Sequence, residues 1–536
     1  MAKQLFGLET EYAFTALDAQ GQSVDREATV DQLMHLARST LPHLPDMHSS
    51  GMFLQNGSRF YVDAGPHPEF CTPECTTPWD AVRYVLAGEK ILARLAVELE
   101  YRNYKISEAL FFKCNVDYTK RHTTWGCHES YLHHVDPALL PGQILPHLVS
   151  RIIYTGAGGC SSGSQGLEFT LSPRVNQLVT VVSNDSTHNR GIFHTKNESL
   201  SGRYYNRMHI LCGESLGSQL AIWLKIGVTA LVVAMVEAGL RPGESVQLGA
   251  PLEAMRLFAR DAECKAEAQG KDGQPLTAIA IQRHYLDLAV AHVHDSFMPA
   301  WAAEVCREWG RVLDLLEAGS PALETMLDWQ IKLALFKDRI VRRGLNWETV
   351  AQWTQLLGAL TAAPRGKTAD DDTDLLSELV AVRKSRIGDQ VKKLAPSIKA
   401  RGLRTVDLTR FLTLRQELFE IDTRYGQLGA RGIFATLDRA GVLNHHVSGV
   451  DDIYTAVTSA PSTSRARLRG EWISRLAGKP GRSACDWQIL WDDTKRQALD
   501  LTEPFEYQER WVSLPRNENG KFDPFEELIP RLRQAT

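Results

Sequence analysis

Between Met52 and Asp63 the chain reads MFLQNGSRFYVD, two short apolar runs broken by Asn56-Gly57. Asn-Gly accepts the positive φ angles of a tight two-residue turn, so this is the strongest short-range signal for a β-hairpin. A lone hairpin is marginal in water and needs further strands or a helix to cover it. Both are at hand. Residues 4–15 (QLFGLETEYAFT) interleave apolar and acidic side chains, which reads as a strand whose polar side faces something other than a core. Residues 79–100 repeat apolar positions at helical intervals, with Pro78 before them and Asp80 in the first turn, which predicts an amphipathic helix.

Further strand signals fall at 110–116, 168–171 and 177–182, whereas helical periodicity dominates 214–239, 277–316 and 325–343. Strands with crossing helices come first and helices follow. Residues 362–374 (AAPRGKTADDDTD) are poor in apolar side chains and read as a loop or hinge. Residues 383–415 then carry ten Lys or Arg against Asp389 and Asp407, either a solvated helical face or a docking surface for an acidic partner. A smaller C-terminal unit is expected over 445–536.

Composition narrows the class. At 536 residues with 43% hydrophobic and 23% charged side chains the chain is globular, and its formal charge of −4 argues against a dedicated nucleic-acid binder. The longest apolar run, Ile226 to Val236, is too short to span a bilayer. No secretory signal is readable at the start, so a cytoplasmic protein is expected, with no membrane partner. Nine cysteines then read as reduced, buried thiols. Cys71, Cys75, Cys127 and His128 match no common zinc spacing.

On a strand, residues two apart share a face, so Glu9 and Glu11 project side by side. Such a pair repels itself unless it is solvated or a cation intervenes, and Mg²⁺, a hard cation with oxygen ligands, suits it. By the same period Arg59, Tyr61 and Asp63 share a face, and an Arg beside Asp63 would keep that carboxylate ionised and oriented as a general base needs. Gly65, Pro66 and Pro68 turn the chain so that Glu69 returns toward the same place. Residues 111–117 (FFKCNVD) and 125–131 (WGCHESY) are expected to pair as strands, with His128 and Glu129 beside the earlier acids. Arg207 and His209 lie two apart, and Arg207 suits a phosphoryl group through its planar fork. Neither a P-loop nor a nucleotide-binding G-x-G-x-x-G is present. A bound nucleotide would therefore be anchored through carboxylate-held magnesium, the pattern of a carboxylate-activating ligase.

The segments GLETEY, NGSRFYVDAGPHPEFCTPEC, GCHESYL and YYNRMHILCGES, followed in order by LKIGVTALVVAMVEAG, IQRHYLDLAV, LDWQIKLALFKDR and TSRARLRGEWI, resemble the Pup ligase and depupylase family over nearly the whole chain. The resemblance implies an α+β fold related to glutamine synthetase and to glutamate–cysteine ligases. In it an antiparallel β-sheet cradle with packed helices spans 1–444, with an insertion around 348–406, and a small C-terminal domain follows over 445–536. It further implies ATP and Mg²⁺ as cofactors, with Glu9, Glu11, Glu69 and His128 at the metal, and Asp63 as the catalytic carboxylate supported by Tyr61 and Arg207. Arg59, Lys196, Arg207 and His209 are the implied nucleotide contacts.

The implied reaction phosphorylates the γ-carboxylate of the C-terminal Glu of a Pup-like modifier and then joins it to a target-protein lysine. Depupylases share the fold but hydrolyse that bond or deamidate a C-terminal Gln. The acid-Thr-acid order of GLETEY, three residues between Asp63 and His67, Cys127 in GCHE, and only 44 residues between Glu11 and Asn56 favour the ligase. The stretches 79–88 and 281–290 look at least as close to depupylases. Lys196, in HTKNES, replaces an Arg of the family pattern, which puts bidentate contacts there in doubt. A small-molecule ligase of the glutamate–cysteine type and an inactive regulatory relative are the other readings. The acid cluster counts against inactivity, because it costs stability when no cation is present.

Overall fold

Strand alternation builds the centre of the molecule. The strand β1 (Phe6–Glu11) buries Phe6, Leu8 and Thr10 on one face and turns Gly7, Glu9 and Glu11 to the other. It is followed by β2 (Ala13–Leu17), helix α1 (Arg26–Thr40), β3 (His43–Pro45), β4 (Met52–Leu54), β5 (Arg59–Asp63) and β6 (His67–Cys71). Helix α2 (Pro78–Arg102), β7 (Glu108–Phe112) and β8 (Cys127–His133) come next. The computed structural model describes residues 4–63, 65–118, 123–162, 164, 166–183, 189–194, 204–361, 384–479, 482–492, 494–505 and 507–513.

Nine strands form one sheet in the order Val182–Ser183, Phe193–His194, Asn206–Ile210, β8, β1, β6, β5, β4, β3. Every neighbouring pair is antiparallel except the first, so the sheet is the expected cradle with one parallel edge. The hairpin forms at Asn56-Gly57, where Gly57 has φ 81° and the Asn56 side chain accepts from Ser58 N at 3.2 Å. Paired with β6 and β8, β1 is central rather than an edge strand.

Helices cover the back of the sheet. Helix α2 is capped by Thr77, whose side chain accepts from Asp80 N, and it has Pro78 in its first turn. Its Ile91, Leu92, Leu95 and Leu99 pack with Phe60 and Phe70, and burying each such side chain contributes about 1.5–3 kcal/mol. The helix Gln219–Glu237 is long and apolar enough to cross a membrane by length and composition, but it lies wholly inside the protein against Phe6, Leu8, Tyr131 and Met208. All nine cysteines are free and buried.

Two expectations change. The 111–117 and 125–131 stretches meet only at one end, where Val116 bridges Thr124 and Trp125 N donates to Asn115 O at 3.2 Å; β7 pairs with β2 in a separate two-stranded sheet, and β8 joins β1. Long-range pairing decided this, and both options present the same local pattern. Residues 177–182 are not a strand; a 3₁₀ turn at Pro173–Gln177 precedes the two-residue strand Val182–Ser183. The expected loop at 362–374 and Lys196 lie outside the described residues. The basic segment forms the helices Lys384–Lys399 and Thr405–Tyr425, which bury Ile398, Leu408, Phe411 and Leu412 and leave Lys392, Lys393 and Arg410 exposed, with Arg401 exposed in the turn between them.

Near the C-terminus the helix Ala466–Leu476 and a four-stranded sheet (Ala484–Cys485, Ile489–Asp492, Gln497–Asp500, Trp511–Ser513) pack on Leu44 and Phe53 of the cradle edge. A buried charge fork joins the two parts. Glu74 accepts from Arg465 Nε at 2.7 Å and from Arg469, which also donates to Gly57 O at 3.1 Å in the hairpin turn. Burial alone would raise Glu74, but the two guanidiniums outweigh it and hold its carboxyl at about 2 against an ordinary 4.5. The unfolded chain therefore takes up this proton first as pH falls. The fork's contribution, about 3 kcal/mol, is complete above the ordinary carboxylate value and disappears as pH drops toward 2. In urea unfolding, the stability gap between the wild type and Glu74→Gln should be widest near neutrality and close across that acid window; a gap independent of pH would contradict the assignment.

Candidate active site

The strand registers lay the predicted residues out as a grid on the concave face. One row runs Tyr61, Glu69, Glu11; the next runs Arg59, Cys71, Glu9, His128. A third holds Gly7, Ser130 and His209, and a fourth pairs Leu132 with Arg207. Asp63 lies one rung beyond Tyr61, opposite His67. The same alternation sends Met208 and Ile210 into the core behind. These side chains line a cleft of about 380 Å³.

Glu9, Glu11 and Glu69 converge. Single ligand atoms of Glu9, His128 and His209 lie within 4.8 Å of one another, and so do those of Glu11, Glu69 and His128. His128 Nδ1 is 3.8 Å from Glu9 Oε2 and its Nε2 is 4.0 Å from Glu11 Oε1. Tyr61 donates its hydroxyl to Glu9 Oε1 at 2.5 Å, and Gly126 N donates to Glu11 Oε2 at 3.2 Å. On the neighbouring strand, Arg207 Nε donates to Ser130 Oγ at 3.0 Å.

Electrostatics match this geometry. Burial, followed by the charges of Glu9 and Glu11, pushes the Glu69 carboxyl well above the usual carboxylate range. Burial would also raise Glu9, but His128 and His209 together hold it well below. Burial and the nearby Arg207 lower His209 to about 4, so its imidazole is neutral at pH 7 and offers a lone pair. Its Nε2 is buried and, among the described residues, has no hydrogen-bond partner, lying 3.6 Å from Glu9 Oε2. An orphaned imidazole nitrogen aimed at crowded carboxylates is the condition that a divalent cation relieves, and the oxygen donors suit a hard one.

Other predicted roles shift. Arg59 does not pair with Asp63; it donates from Nε to Asp46 Oδ2 at 2.7 Å, and its guanidinium lies 4.0 Å from the centre of the Tyr61 ring. Asp63 is exposed at the cleft rim. Glu129 does not join His128. Adjacent residues on a strand face opposite ways, and Glu129 is fully buried behind the sheet in an ion pair with Arg151. Arg465, Asp486, Trp487 and Gln488 wall the far end of the cleft. No local pattern announces them, because they arrive from the last part of the chain.

Comparison with known proteins gives one consistent result. A family model described as Pup-ligase protein matches residues 4–357 and 376–491. A Pup–protein ligase of Geodermatophilus obscurus is 28% identical over 515 residues, covering 94% of this chain and 97% of that protein. One of Mycobacterium avium is 28% identical over 513 residues with the same coverage. Among solved structures, the ligase PafA in complex with the prokaryotic ubiquitin-like protein Pup superposes with a TM-score of 0.71 at 25% identity, covering 94% of this chain and 89% of that one. PafA in complex with ADP gives a TM-score of 0.65 at 26% identity, with 90% of each chain covered.

Proposed function

The chain belongs to the Pup-ligase protein family, and from that premise we propose that it is an ATP-dependent ligase joining the C-terminal Glu of a Pup-like modifier to lysines of target proteins. One observation carries the site assignment: three carboxylates from β1 and β6 meet two imidazoles, one with an orphaned nitrogen, in a single cleft. Glu9, Glu11 and Glu69, with His128 and His209 beside them, would hold Mg²⁺. When bound, that ion supplies positive charge against the nucleotide phosphates.

The protein's own groups account for the rest. Arg207 faces the same cleft and meets charge that spreads over the transferring γ-phosphoryl. The modifier carboxylate takes that group and ADP leaves, giving an acyl phosphate. The lysine amine then attacks the acyl carbon and phosphate departs. A lysine ammonium has an unperturbed pKa of about 10.4, so a base must remove its proton; we assign that role to Asp63, whose exposure at the open rim supports it. Direction follows the family: relatives named as ligases favour conjugation over hydrolysis, over a small-molecule amine acceptor and over an inactive role. Cytoplasmic placement and Mg²⁺ as the resident ion belong to the same proposal.

Incubation with ATP, Mg²⁺, a lysine-bearing target protein and modifiers ending in Glu or Gln, and in parallel with a pre-formed conjugate, followed by mass spectrometry, tests this reading. Conjugates formed with stoichiometric ADP are expected from the Glu-ended modifier. Ammonia or freed modifier without matching ATP loss would reverse the assigned direction.

A further inference from the structure

The loop between β3 and β4 brings a buried carboxylate to the wall of the same cleft, beside the cation site. The Asp46 side chain is 2% exposed, and its Oδ2 accepts from Arg59 Nε at 2.7 Å and from Ser49 Oγ at 2.8 Å, while Oδ1 accepts from His48 N at 2.9 Å. Asp46 therefore fixes Arg59 in both place and angle. The fixed guanidinium lies over the Tyr61 ring, and a cation over an aromatic face holds that face in orientation. Gly51 closes on the same residue, for a Cβ there would meet Tyr61 Cβ at 2.6 Å. With its ring clamped, Tyr61 has its hydroxyl at 2.5 Å from Glu9 Oε1. The loop itself is tied to the C-terminal sheet through Met47 N and Cys485 O at 3.1 Å.

We infer that Asp46 is a positioning residue for the cation site, acting through Arg59 and Tyr61 to fix the Glu9 carboxylate. This rests on the reading that Glu9 is among the ligands of a divalent ion. The orienting partners of metal ligands matter nearly as much as the ligands themselves, because a carboxylate free to rotate must be ordered again each time the ion binds. The relay also gives Arg59 work other than phosphate contact. It makes the affinity of the site depend on a residue that never touches the ion.

The test is Mn²⁺ binding to the full-length, nucleotide-free protein, followed by the electron paramagnetic resonance of the free ion, with thermal melting of every variant in parallel. Asp46→Asn and Tyr61→Phe should each weaken binding about 10-fold. The double variant should be no weaker than Tyr61→Phe alone, because both changes cut one chain. A merely structural Asp46 would give additive losses. Unchanged affinity in Asp46→Asn, or additive losses, would overturn the inference. Should Asp46→Asn fail to fold, Arg59→Lys, which loses the fork and the stacked plane, must show the same non-additive loss with Tyr61→Phe; independence there overturns it as well. A wild type that binds no Mn²⁺ would instead remove the metal reading underneath.

Discussion

Asp63→Asn should conjugate about 10²- to 10⁴-fold more slowly than the wild type, the range that a positioned general base contributes. Nucleotide binding should survive. Asp63 belongs to neither group of side chains that could share an ion, and it stands at the rim rather than among the buried carboxylates. Its charge is one of those that push Glu69 up, and the same charge attracts a cation from the rim, so the amide should weaken ion binding only slightly. The two effects separate cleanly. Affinity for a fluorescent ATP analogue reports the site, and the rate of conjugate formation reports the base. Full turnover in Asp63→Asn would take Asp63 out of the reaction, and loss of nucleotide affinity would recast it as a ligand.

Arg151→Met should destabilise the fold by about 3–5 kcal/mol, the cost of leaving a buried charge without its partner. Arg151 donates to Glu129 Oε1 at 2.6 Å and Oε2 at 2.9 Å, and to Thr229 Oγ1 at 2.7 Å. Tyr131 adds a bond to Glu129 Oε2 at 2.8 Å. Burial alone would raise Glu129, yet Arg151 and the nearby Lys225 hold it below its ordinary value. Without Arg151, the enclosed carboxylate keeps the Tyr131 hydroxyl and the nearby Lys225 charge but loses both guanidinium bonds. Glu129→Leu combined with Arg151→Met should recover most of the loss, since an apolar pair avoids the desolvation of both ions. Urea unfolding of the three variants decides the matter. If the single change costs under about 1 kcal/mol, the pair is not an isolated buried charge system.

The convergence of Glu9, Glu11 and Glu69 is legible in the sequence because it needs only local rules: a period of two along a strand and turn residues that reverse the chain. The same period, applied to β8, separates Glu129 from His128. Adjacency in sequence was the wrong guide there, and alternation the right one. The partner of Arg59 could not be read, since Asp46 lies 13 residues upstream in a loop whose course the C-terminal sheet fixes. Pairing of β7 with β2 was hidden for a similar reason. Two strands of like composition compete for one partner, and only the packed core chooses between them. The His209 position was legible as a cleft contact, whereas its orphaned nitrogen became visible only with the neighbouring strand in place.

Trp487 and Gln488 complete the cleft, while Arg465 and Arg469 clasp a residue laid down almost 400 positions earlier. Synthesis runs from the other end, so the carboxylates emerge from the ribosome long before the residues that wall the cleft. A nascent or prematurely stopped chain thus carries the acids without the enclosure.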